Sequence, residues 1–157
     1  MKSRLYLETT IPSYLTSRPS RDLIVAGHQQ ITREWWEGRK DAFDLYISQL
    51  VIDEAADGDP AMARERMRVL QELPLLDITP ETEELTSSFL ASGKIPQKAA
   101  NDAAHIAIAA VHGLDFLVTW NCVHIANAAI AKGLALICRE HGCELPVICT
   151  SEELREG

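Results

Sequence analysis

Four oxygen-bearing side chains stand where chemistry is expected: Glu8, Glu54, Asp102 and Asn121. Glu8 follows the apolar run Leu5-Tyr6-Leu7, and Asn121 follows Phe116-Leu117-Val118-Thr119-Trp120. Each run reads as a buried strand with an acceptor oxygen at its carboxyl end. Glu54 and Asp102 lie in stretches otherwise rich in apolar side chains. A buried carboxylate is costly unless it is paired or bound to a metal. Open parallel sheets bind ligands just beyond the carboxyl ends of their strands. If the four converge there, they form a site of hard oxygen ligands suited to Mg²⁺ or Mn²⁺. Two such ions can activate water and stabilise the leaving oxygen in phosphodiester hydrolysis. Three carboxylates carry about −3, so one dication leaves about −1 and two leave about +1. A phosphate is therefore welcomed with two ions, or when the substrate brings one.

Each residue also has a plainer explanation. An Asp near a helix N-terminus commonly serves only as a favourable partner for the helix dipole. For Asp102 the two explanations balance. His105, one turn later, could line the same region. Glu54 competes with Asp53. Val51 and Glu54 are three apart and share a helix face, so with Val51 in the core Glu54 is the inward candidate. Asn121 is of a type common in turns after strands.

The elements that must position these residues alternate. Strands are expected at residues 4–8, 43–47, 75–78, 116–119 and 146–149. A short helix starts at Ile11-Pro12. A long helix opens at Pro19-Ser20 with Ser20 as N-cap, runs with Ile24, Ile31 and Trp35 on one face, and stops at Gly38. Ser48 caps a helix to about Ala56, and Asp57-Gly58-Asp59-Pro60 turns into the next. Thr79-Pro80 opens a helix ending near Gly93. Residues 97–112 are apolar nearly all round, as in a helix buried between other elements. Residues 123–141 read as helical, interrupted around Gly133. This alternation indicates an α/β fold, with a mostly parallel sheet in one domain over residues 1–157.

Composition narrows the partners. Apolar residues are 46% and charged residues 24% of 157, which is ordinary for a globular protein. No stretch approaches the roughly 18–20 apolar residues of a membrane span. The short apolar run after Met1-Lys2-Ser3-Arg4 does not make a signal-peptide core, so the cytoplasm is expected. The net charge of −8 argues against nonspecific nucleic-acid binding through a basic face. The cysteines 122, 138, 143 and 149 include no CxxC and are expected to be reduced thiols. Cys138, His141 and Cys143 lack a fourth ligand and match no standard zinc spacing. No GxGxxG or P-loop is present, and Glu8-Thr9-Thr10 offers no DxD for a phosphatase.

The order of motifs resembles the PIN domain. The resemblance rests on an apolar strand into Glu8-Thr9-Thr10, Ser48 to Glu54 at the head of a helix, Asn101-Asp102-Ala103-Ala104-His105-Ile106-Ala107, and Leu117-Val118-Thr119-Trp120-Asn121. Within that family the chain resembles the toxin ribonucleases of VapBC-type toxin–antitoxin systems, from Leu5 to about Thr150. The resemblance implies an α/β/α sandwich that cleaves RNA endonucleolytically with Mg²⁺ or Mn²⁺. It places Glu8, Glu54, Asp102 and Asn121 around the metal, with Asn121 in the position of a fourth acid. Thr119 matches a hydroxyl often found just before that acid, where it and Asn121 would position water or the outer coordination shell. The first position is usually Asp, and Glu8 is one methylene longer, a difference of about an ångström. Asn121 contributes no charge, and Thr10 stands where Asn is usual. The alternative is a catalytically weakened PIN-fold module that binds RNA or protein. The resemblance also implies an antitoxin partner and a homodimer. Lys94 and Lys98, upstream of Asp102, are candidates for the RNA backbone, and of the adjacent Trp35 and Trp36 only one can face the core.

Overall fold

The computed structural model describes residues 1–156. Five parallel strands form one sheet: β1 (Ser3–Leu7), β2 (Phe43–Ser48), β3 (Leu75–Leu76), β4 (Phe116–Val118) and β5 (Val147–Cys149). Their order is β3-β2-β1-β4-β5. The chain steps outward from β1 through β2 to β3, then returns to the other side of β1 for β4. Right-handed crossovers therefore place helices on opposite faces in the two halves, giving the expected α/β/α layers. The reversal between β1 and β4 is a topological switch point, where crevices open beyond the strand ends. Leu5, Tyr6 and Leu7 are fully buried, as in a central strand covered on both faces. The edge strand β3 keeps two residues rather than the expected four.

Among the described residues, seven α-helices connect the strands: α1 (Thr10–Thr16), α2 (Leu23–Arg39), α3 (Gln49–Ala55), α4 (Pro60–Leu70), α5 (Pro80–Ala91), α6 (Ala100–Val111) and α7 (Ala128–Glu140). α6 is the buried helix expected from its alanines, which let α5 and the sheet approach closely. A single 3-10 turn, Gln97–Ala99, leads into it. It ends at Gly113, whose φ of 68° is left-handed. Leu114 N donates to Ala109 O and Gly113 N to Ala110 O, a Schellman closure with Leu114 buried beneath it.

Four local expectations are corrected. The N-cap of α2 is Asp22, not Ser20. Asp22 Oδ1 accepts from Ile24 N at 2.9 Å and Val25 N at 3.3 Å, while the Ser20 hydroxyl accepts from Asp22 N and so supports the cap. Ile24 shares the face of Trp35 but sits at the helix start, where nothing covers it and it is 71% exposed. Gly38 does not stop α2, which continues through Arg39 into a 3-10 turn. Residues 121–127 form turns, and α7 then runs without a break through Gly133 from an Asn127 cap. Asp22→Ala is expected to cost about 1 kcal/mol, lowering the melting temperature by about 2–4 °C in thermal unfolding. Ser20→Ala should cost less than half of that.

Of the tryptophans on α2, Trp35 is fully buried, whereas Trp36 is partly buried with the Lys40 ammonium 4.7 Å from its ring centre. All four cysteines are free thiols. Burial pushes the Cys138 and Cys149 thiols up to about 12, so both stay protonated near neutral pH.

Candidate active site at the sheet switch point

Glu8 leaves β1 and Thr119 leaves β4, side by side at the switch point, since Glu8 N donates to Val118 O at 3.1 Å. The two strand ends are locked together by two threonine hydroxyls. Thr10 Oγ1 accepts from Trp120 N at 2.8 Å and donates to Glu8 Oε1. Thr119 Oγ1 accepts from Asn121 N at 2.9 Å and donates to Glu8 Oε1 at 2.6 Å. Thr10 N adds a third donor to the same oxygen at 3.0 Å. These bonds let Glu8 sit only 4% exposed. Thr119 is fully buried and its hydroxyl is spent on orienting Glu8 and the start of the loop after β4.

Glu54 arrives from α3. The Ser48 hydroxyl stands at the start of that helix but makes no side-chain cap. It pairs instead with Tyr6 Oη at 2.8 Å. Tyr6 Oη meets His105 Nδ1 at 2.7 Å, and His105 Nε2 donates to Glu54 Oε1 at 2.6 Å. Thr9 Oγ1 donates to the same oxygen at 2.7 Å. Burial pushes the Glu54 carboxyl up, but the His105 hydrogen bond and charge, with Thr9 and Asn101, outweigh it. The net result lies below the ordinary carboxylate value of 4.5. Burial pushes the Tyr6 phenol well above its usual range, so it stays protonated. Asp53, the competing acid, is exposed and accepts from Gln49 on its own helix at 2.9 Å. The choice of Glu54 as the inward carboxylate follows from Val51, which is fully buried.

Asp102 lies in the first turn of α6, and its Oδ2 receives His124 Nδ1 at 3.0 Å. His124 is in turn held by Asn121, whose Oδ1 accepts from His124 N at 3.1 Å. One network thus runs from Asp102 through His124, Asn121 and Thr119 to Glu8. Thr9, in the same turn as Thr10, ties that turn to Glu54. His124 escaped the sequence reading; its only signal was the spacing of three after Asn121, an Asx-type turn. Trp120, between Thr119 and Asn121, anchors the same loop to α2. Its Nε1 donates to Thr32 Oγ1 at 2.7 Å, and His28 stacks on it at 3.9 Å. Lys94 lies across Gly133 of α7.

The donor chemistry suits a hard dication: three carboxylates and an amide oxygen, with no thiolate among them. Among the described residues, no three His, Cys, Asp or Glu side chains form a group ready to hold one ion directly. The fit is to an ion that keeps most of its own shell. Mg²⁺ is commonly bound through one or two carboxylates, with water and phosphate completing the octahedron.

An all-parallel sheet, with Glu8 at the end of a central strand and Glu54 and Asp102 tied to the neighbouring loops by hydrogen bonds, defines an α/β protein with acidic residues around its switch point. A family model described as PIN domain matches residues 23–121, well over half of the chain. The chain belongs to the PIN domain family, whose members are nuclease-like and generally use divalent metal ions. The matched span contains Glu54, Asp102, Thr119 and Asn121 and begins after Glu8. No curated protein matches the sequence. No helix among the described residues is long and apolar enough to cross a membrane.

Proposed function

We propose that this chain is a metal-dependent endoribonuclease, acting as one domain in the cytoplasm as the toxin of a type II toxin–antitoxin pair. The observation that carries this reading is the hydrogen-bond network joining Glu8, Glu54 and Asp102 at the switch point of a PIN-family sheet. Asp102 and Glu54 are the holding residues for Mg²⁺ or Mn²⁺, directly or through water, and Glu8 stands behind them with its position fixed by Thr10 and Thr119. A bound dication there supplies acidified water and offsets charge at the scissile phosphate. Asn121 acts through His124, orienting Asp102 while adding no charge. RNA is the substrate, a cognate antitoxin is the partner, and the active form is a homodimer.

The test is incubation of purified protein with total RNA and with tRNA, in Mn²⁺, Mg²⁺ or chelator. Cleavage should vanish in chelator and in Asp102→Asn. Equal cleavage by that variant would mean a contaminating nuclease and end this reading.

The burial of Glu8 and the engagement of Asn121 Oδ1 favour a second reading, a weakened PIN-fold module that binds RNA or protein without cutting. Calorimetric titration with Mn²⁺ separates the two. The nuclease binds Mn²⁺ and Asp102→Ala does not, whereas the weakened module binds in neither form. Asn121→Asp keeps the acceptor for His124 N and adds a charge. A unit charge a few ångströms from a cation is worth about 1 kcal/mol even in water. Mn²⁺ affinity should therefore rise about fivefold in that variant, and unchanged affinity would place residue 121 too far from the ion to matter.

A further inference from the structure

A groove of about 350 Å³ opens beside the carboxylates, between α3, α5 and α6. Leu50, Ile78 and Ala104 supply its apolar walls, and Asp53 and Glu83 stand on it as exposed carboxylates. Asn101 links the two places. It lines the groove and stands one helical turn before His105, whose Nε2 bonds Glu54 at 2.6 Å. The groove therefore borders the acidic site along one face of α6, and Asp102 is the next residue in the chain.

We propose that this groove seats one nucleobase of the RNA, a base carrying an exocyclic amino group, next to the phosphate that is cut. The inference rests on the ribonuclease reading. The groove's size lies at the bottom of the range of ligand pockets, roughly 300–1,000 Å³. A helix about 10–12 Å across would not enter it, which disfavours a helical peptide. Its walls suit the apolar face of a base. Its charge decides which part of a nucleotide enters. Asp53 and Glu83 repel a phosphate but accept from an amino group, as acidic side chains accept from cytosine N4. The Asn101 amide offers a donor and an acceptor together, the pair that reads adenine N6 and N7. Uracil has no exocyclic amine and leaves the carboxylates without a partner. With a base held here, its own phosphate lies toward Glu54 and Asp102, on the far side of Asn101.

The experiment titrates the ¹⁵N-labelled protein, without metal, with the phosphate-free nucleosides adenosine, cytidine, guanosine and uridine up to millimolar concentration. In parallel it maps cut sites on a mixed-sequence RNA with Mn²⁺. Amide shifts should centre on Asn101, Ala104 and Glu83, with at least one of the amine-bearing nucleosides adenosine, cytidine and guanosine binding about tenfold tighter than uridine. Cuts should be enriched beside the same base. Asp53→Asn with Glu83→Gln, both exposed positions that leave the fold intact, should remove most of the discrimination, and Ala104→Trp should remove the shifts. Cleavage without base enrichment and without shifts in the groove overturns the proposal and leaves the nuclease reading standing. Selective shifts with no cleavage of any RNA keep the base site and overturn the nuclease reading. A response to a basic amphipathic peptide but to no nucleoside overturns the proposal in favour of a protein partner.

Discussion

Replacing Asp102 with Asn is expected to lower RNA cleavage more than about 100-fold while moving the melting temperature by less than about 3 °C. Two facts separate the effects. Asp102 is partly exposed in the first turn of α6, and its side chain bonds His124 at 3.0 Å. An amide can keep that contact by accepting from the His124 N–H through its oxygen. The helix end loses one favourable charge, worth typically 0.3–1 kcal/mol, and a chain of this length shifts by about 2–4 °C per kcal/mol. Function depends on the charge itself. Residues that merely orient a metal ligand cost about 10–100-fold when lost, so removing charge from the ligand should exceed that range. The pair of measurements is initial-rate cleavage of a defined RNA in Mn²⁺ and thermal unfolding of the same samples. A tenfold loss or less would remove Asp102 from the metal-holding role. A matching large loss of stability would make it a structural residue.

His124→Ala should show the intermediate pattern. Asp102 keeps its charge but loses its orientation, so cleavage falls within the 10–100-fold range. Because Asn121 holds His124 by its backbone N–H, Asn121→Ala should give a similar loss, and the double variant little more than either. Full multiplication of the two losses would show that they act separately.

What was legible in the sequence follows from where each feature is determined. Leu5-Tyr6-Leu7 announces a central strand because burial on both faces demands consecutive apolar residues. The Ala-rich stretch around Asp102 announces α6 for the same reason. One helical angle separates Glu54 from Asp53, and in the fold Glu54 meets the buried His105 while Asp53 is exposed. Helix starts were harder. Ser20 and Asp22 are both competent caps two residues apart, and the winner is decided by which oxygen reaches two free backbone donors. The turns at 121–127 were hidden because Val123, Ile125 and Ala126 continue an apolar pattern, although Asn127 stood ready as a cap. Glu8 could be placed by topology, since it ends a central strand of an open sheet, whereas Glu54 and Asp102 sit on helices. The residues that hold these carboxylates could not be placed. Thr10 meets Trp120 N across 110 positions, and His124 meets Asp102 across 22. Such pairings are set by the packed fold and leave no periodicity to read.

His105→Ala is expected to be the most destabilising single change in the site, by about 2–4 kcal/mol. The ring is fully buried and joins Tyr6 to Glu54 through its two nitrogens at 2.7 and 2.6 Å. Its removal opens a cavity beside the central strand and takes one partner from each neighbour. Tyr6 Oη keeps only Ser48, and a buried polar group that loses a partner costs about 1–3 kcal/mol. Glu54 keeps Thr9, and its side chain is 30% exposed, so water relieves part of its loss. The melting temperature should fall by about 5–15 °C. Tyr6→Phe keeps the volume and removes one hydroxyl, so it should cost about 1–3 kcal/mol. The two changes act on one shared bond, and the double variant should be less destabilised than their sum by more than about 0.5 kcal/mol. Strict additivity in chemical denaturation would mean that the Tyr6–His105 bond carries no stability. With the bond intact, Ser48, Tyr6, His105 and Glu54 form a buried column running from the sheet to the carboxylate. That column fixes Glu54 before any ion or phosphate arrives, so His105→Ala should also weaken Mn²⁺ binding, whereas Tyr6→Phe, which leaves the His105–Glu54 bond in place, should weaken it less.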